Sequence, residues 1–246
     1  LMKLLPVDTA SAKTIVGIYS ANYKLAIFIT LFIQAFRLGA EPFFFNQSND
    51  KNAPQTYARV MKWFVVTLCI AFLFTALYLD VWIRILGSSY RKGVGVVPIL
   101  LAANVALGIY YNLSVWYKIT DRMRMGIYIT LIGAVITLTI NYAFIPQYGM
   151  YASAWATFAC YLGMVLISYF LGQKYFPVPY NVKRIASYLL LMAGLFFAQR
   201  FISTYLPGLP LKVASATALM AIFLLAVGVL EKQELKKLPL IGKAFN

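Results

Sequence analysis

The chain has 246 residues, 62% of them hydrophobic and only 12% charged, with a mean hydropathy of +0.76. Soluble domains carry roughly one quarter charged residues, so ions cannot cover the surface of this chain in the usual way. Its 22 Lys and Arg against seven Asp and Glu give a formal charge of +15; most of these basic residues sit in short loops between apolar runs, where anionic lipid headgroups replace nucleic acid as the expected partner.

In chain order, residues 1–14 form a segment preceding the first span. Apolar runs then predict transmembrane helices at about 15–37, 63–83, 94–115, 126–145, 150–171, 185–206 and 211–230, followed by a basic tail at 231–246. Each run reaches roughly 20 residues, the length that crosses about 30 Å of hydrocarbon. Backbone groups in lipid must pair within the segment, so the fold class is an all-α integral membrane protein with seven transmembrane helices in one bundle. The fourth and fifth spans are joined by Pro146-Gln147-Tyr148-Gly149, where Pro146 is expected to limit one helix and Gly149 to let the chain reverse.

The loops alternate in charge. One side carries Arg37, Lys51, Arg59, Lys62, Lys118, Arg122, Arg124, Lys174, Lys183, Arg184, Lys232, Lys236, Lys237 and Lys243, fourteen in all. The other carries six: Lys3, Lys13, Arg84, Arg91, Lys92 and Lys212. The richer side is expected in the cytoplasm, with the C-terminal tail inside and residues 1–14 outside. A chain that starts outside, without a signal sequence or an initiator Met at position 1, is expected to be the C-terminal part of a longer protein.

Polar residues at membrane depth come next. Lys24 lies about ten residues into the first span, too deep for easy snorkelling, so it is expected to face protein or water. At 100° per residue, Lys13, Ser20, Lys24, Gln34 and Glu41 fall within roughly 100° of one another, the pattern of a cavity wall. A later start to the span, with Lys24 snorkelling outward, is the plainer alternative. Arg37 and Glu41 are spaced to pair across one turn, as a structural staple or as part of a gate, and Pro42 is expected to kink or end the helix. Asp80 and Arg84 repeat the spacing in the second span. Asn104 and Asn112, about 80° apart on the third span, fit either a shared cavity face or inter-helix hydrogen bonding. Tyr110, Tyr111, Trp116 and Tyr117 read as an aromatic belt. In the loop that follows, Thr120 or Asp121 is placed to cap the next helix. Lys118, Arg122 and Arg124 can set topology, hold lipid phosphates or meet a substrate diphosphate.

Enzyme chemistry has little to build on. Histidine is absent, which removes the commonest general base and metal ligand. Carboxylate pairs, a Cys cluster and a Gly-rich phosphate loop are also lacking, so neither a catalytic site nor a metal or cofactor is expected. Cys69 and Cys160 lie in apolar segments and read as small hydrophobes. A basic stripe inside an apolar bundle points to handling an anion rather than transforming it.

Val16-Gly-Ile-Tyr-Ser-Ala-Asn-Tyr-Lys-Leu-Ala26 and Gln34-Ala-Phe-Arg-Leu-Gly-Ala-Glu-Pro42 resemble the C-terminal half of bacterial polysaccharide-export flippases. These belong to the multidrug/oligosaccharidyl-lipid/polysaccharide exporter superfamily. Trp116-Tyr-Lys-Ile-Thr-Asp121, Ile140-Asn-Tyr-Ala-Phe-Ile-Pro-Gln-Tyr-Gly149 and Ala152-Ser-Ala-Trp-Ala-Thr157 are similar to its later helices, so the resemblance covers roughly 15–172. It implies helices 8–14 of a 14-helix, two-bundle transporter in the bacterial cytoplasmic membrane, partnered by a missing N-terminal bundle. The implied activity is translocation of lipid-linked oligosaccharide for cell-surface polysaccharide synthesis, through a cationic cavity in which Lys24 and Arg37 meet the diphosphate. The alternatives are a drug or small-metabolite antiporter of the same superfamily and a non-transporting scaffold for polysaccharide assembly.

Overall fold

The computed structural model describes residues 8–236. Lys3 and the other residues of 1–7, and Lys237 and Lys243 in the tail, lie outside the described residues. The described residues are helical with no strand. Among the described residues, seven helical segments are long and apolar enough to cross a membrane, the make-up of a multi-pass membrane protein.

The first helix, α1 (Thr9–Gln47), is 39 residues long, about 58 Å at 1.5 Å per residue. It thus takes in part of the expected 1–14 segment and overruns the 15–37 span at both ends. Asp8 starts it, its carboxylate accepting from the Ala10 and Ser11 amides at 3.1 and 3.2 Å. Pro42 does not end it. The proline lies on the exposed side, while two residues on the Tyr57 hydroxyl donates to the Phe44 carbonyl at 2.7 Å and their rings meet edge-on. That tertiary anchor holds the helix through the missing donor.

The next helix, α2 (Ala53–Leu77), begins ten residues before the expected span, with Pro54 in its first turn. The connection is therefore only 48–52, where the expected spans leave 38–62. The chain breaks at Tyr78 and makes the short α3 (Leu79–Trp82). A 3-10 segment, Ser88–Val96, leads into α4 (Val97–Leu113), and α5 (Val115–Ile119) follows the break at Ser114. The peripheral helices are α6 (Met123–Tyr148), α7 (Met150–Tyr175), α8 (Val182–Tyr205) and α9 (Leu209–Leu230); a single turn, α10 (Lys232–Leu235), follows. Pro146 lies inside α6 rather than ending it. The reversal is made by Gly149, whose φ of 54° and ψ of −127° only glycine adopts without strain.

At the centre, α2 and α4 pack against each other. Around them, α1 covers both, α7 lies on α4 with α6 outside it, and α8 and α9 close over α2. Ile29, Ile33, Leu68, Leu73, Leu100, Leu101, Tyr188 and Phe223 form one continuous core. Gly108 permits the close approach of three helices: a Cβ there would lie 2.6 Å from Leu68 Cδ1 and 3.3 Å from Ile33. The exterior is apolar as well. On α6, Ile127, Leu131, Ile132, Val135 and Leu138 all point outward. An apolar core within an apolar surface is what a bilayer accommodates and water does not.

The aromatic residues expected as a belt are mostly internal. Tyr110, Trp116 and Tyr117 are buried against α6 and α7, with Trp116 Nε1 donating to Ser168 at 3.2 Å. Nor do Asp80 and Arg84 pair, because the helix ends at Trp82; Asp80 instead lies 3.8 Å from Lys212 at the start of α9. Neither Thr120 nor Asp121 caps α6, whose N-cap position is Arg122; the Thr120 hydroxyl is engaged by the Trp116 carbonyl.

Candidate functional site

The polar stripe of α1 lies on the outside of this bundle. The buried face of α1 is built from Ala12, Asn22, Ala26, Ile29, Ile33 and Phe44. Lys13, Ser20, Lys24 and Gln34 are exposed, and Glu41 is half-buried. Among the described residues no carboxylate comes within 4.0 Å of Lys24 Nζ. An exposed lysine on a helix apolar enough to cross a membrane needs water, a headgroup or another protein surface beside it.

Arg37 belongs to a different environment. It is 13 residues from Lys24, about 20 Å along the axis and ~140° around it. Its Nε lies 3.0 Å from Glu41, as the spacing predicted, and its guanidinium stacks 4.9 Å over the Tyr111 ring. Lys118 of α5 also reaches Glu41, at 2.5 Å. The carboxylate thus joins two cations from two helices, tying the C-terminal third of α1 to the α4–α5 junction. Lys24 and Arg37 are not brought together, and one diphosphate group cannot bridge them.

The three basic loop residues also divide. Lys118 is committed to Glu41, Arg122 lies over the Tyr175 ring at 4.1 Å, and Arg124 is exposed. Of the asparagines, Asn104 is helix–helix glue: its Nδ2 donates to the Ala26 carbonyl at 3.1 Å, and its Oδ1 accepts from Thr30 at 3.2 Å. Asn112 is 4% exposed, with an Nδ2 that has no partner among the described residues. It borders a void of about 10 Å³ that also touches Arg37 and Glu41. The two asparagines therefore do not share an open cavity face.

Two polar centres escaped the sequence. Asn22 is fully buried and donates from Nδ2 to the Ile18 and Tyr90 carbonyls, both at 2.8 Å, pinning α1 to the 3-10 segment. The larger centre is Glu231, at the α9–α10 junction and only 3% exposed. Lys62 lies 2.6 Å from it and 2.8 Å from Glu234; Arg184 Nε lies 3.3 Å from Glu231; and Tyr188 donates a short hydrogen bond to Glu231 Oε1. Trp63 Nε1 donates to Glu234 at 3.1 Å, and Arg184 also donates to the Leu230 carbonyl at 2.6 Å. Burial raises the Glu234 carboxyl, but hydrogen bonds from Lys62 and Trp63 and the charges of Lys62 and Arg59 outweigh it, so its pKa falls below the ordinary 4.5. This cluster locks α2, α8 and α9 together at one end of the bundle. Among the described residues no three His, Cys, Asp or Glu side chains form a metal-ligating group.

No family model, curated protein or solved structure matches this chain.

Proposed function

We propose that this bundle is one wall-forming half of a two-bundle, 14-helix transporter that moves lipid-diphosphate-linked oligosaccharides across a bacterial cytoplasmic membrane by alternating access. One observation carries the reading: α1 turns Lys13, Ser20, Lys24 and Gln34 outward from a bundle whose remaining exterior is largely apolar. A polar face of this kind calls for an aqueous cavity, and a facing second bundle supplies one. Of the two cations on that face, Lys13 and Lys24, Lys24 is the deeper along the span and the contact assigned to the sugar-diphosphate. Arg37, Glu41 and Lys118 act instead as the tie that keeps α1 and α5 moving as one body.

The test is reconstituted flipping of lipid-linked glycans by the full-length protein and its Lys24→Ala and Lys24→Gln variants. Because Lys24 is exposed, membrane insertion should persist while flux falls by at least ten-fold. Unchanged flux would remove Lys24 from the transport path. A lysine at the centre of the stripe disfavours an antiporter of cationic drugs. The engagement of Arg37 with Glu41 and Tyr111 is the one observation that favours a non-transporting scaffold, and absence of glycan-lipid flux in the unmodified protein would select it.

A further inference from the structure

Beside the Glu231 cluster an open cavity of about 690 Å³ lies between the N-terminal part of α2, the start of α8 and the α9–α10 junction. Its charged lining is Arg59, Lys62, Arg184 and Lys232 against Glu231 and Glu234, four cations to two carboxylates, or +2 (4 − 2). Both carboxylates are already spoken for. Glu231 receives Lys62, Arg184 and Tyr188, and Glu234 receives Lys62 and Trp63. Arg59 and Lys232 are left: both are exposed, and among the described residues no carboxylate oxygen lies within 4.0 Å of either. Arg59 stands one helical turn from Lys62, so a ligand between Arg59 and Lys232 would meet two cations without a direct carboxylate contact, beside the Glu231 cluster. The same cavity is flanked by Val229 and Leu230, apolar and exposed on the outer surface of α9.

We propose that this cavity binds a phosphate group, with Arg59 and Lys232 as its principal contacts, and that its occupant is an anionic phospholipid whose acyl chains run down the Val229 side of α9. Excess positive charge selects the phosphate, and the adjoining apolar helix face selects a source that carries hydrocarbon. The site is separate from the α1 stripe and does not depend on transport.

Native mass spectrometry of the detergent-solubilised full chain, titrated with phosphatidylglycerol, phosphatidylcholine or inorganic phosphate, tests it. Phosphatidylglycerol should bind in preference to phosphatidylcholine. The Arg59→Gln/Lys232→Gln pair should weaken that binding roughly thirty-fold, the loss expected of two cations near a membrane surface. The Arg84→Gln/Lys92→Gln pair, which removes equal charge elsewhere, should leave it unchanged. Competition by millimolar phosphate would support the site and extend it to free phosphate; lipid binding without competition would support it and restrict it to headgroups. Equal binding of phosphatidylcholine, unaltered binding by the Arg59/Lys232 variant, or equal loss in both pairs would overturn it.

Discussion

Neutralising Glu231 is the sharpest perturbation of the fold. Glu231→Gln keeps the shape and an acceptor for Tyr188 but removes the charge that faces Lys62 at 2.6 Å and Arg184 at 3.3 Å. Leaving a buried charge without its partner costs about 3–5 kcal/mol. Here Lys62 keeps Glu234 at 2.8 Å and Arg184 is one-third exposed, so the loss should be about 2–3 kcal/mol, at or below the lower end of that range. Equilibrium unfolding in mixed micelles reads it directly. Replacing Lys62 as well, in Lys62→Met/Glu231→Met, should cost less than the two single changes added together, because neither charge is then stranded. A Glu231→Gln variant within about 0.5 kcal/mol of the parent, or strictly additive losses, would refute a coupled network.

Two further outcomes follow from packing and protonation. Gly108→Ala should destabilise by about 1–3 kcal/mol through overpacking, and Gly108→Ala with Leu68→Val should recover part of the loss; thermal unfolding of both variants checks this. The depressed Glu234 carboxyl contributes stability that is present above pH 4.5, its ordinary value, and is lost as pH falls through its lower folded value. Unfolding midpoints measured from pH 6 downward should therefore drop below pH 4.5, and Glu234→Gln should flatten that acid limb.

The seven-helix train was legible because each span is a long apolar run, and Gly149 was legible because a four-residue reversal demands its backbone. Helix ends were not. Hydropathy marks where lipid begins, whereas α1 and α2 continue as helices held by Tyr57 and Phe44 packing, which no local pattern reports. The Arg37–Glu41 pair followed from spacing, but Lys118, 77 residues away from Glu41, did not. Lys62 and Arg184 looked like topology-setting charges, and only folding brings them to Glu231, 169 residues from Lys62. Tyr110, Trp116 and Tyr117 are buried although their pattern fits a belt, because aromatic composition is the same at an interface and in a core.

The direction of the α1 polar face is the central claim, and thiol accessibility measures it. In the full-length protein with Cys69 and Cys160 replaced, single cysteines at Ser20, Lys24 and Gln34 should react with a membrane-impermeant thiol reagent. Cysteines at the exposed apolar positions Leu131 and Leu190 should not. Equal protection at all five positions would contradict a water-filled cavity along α1.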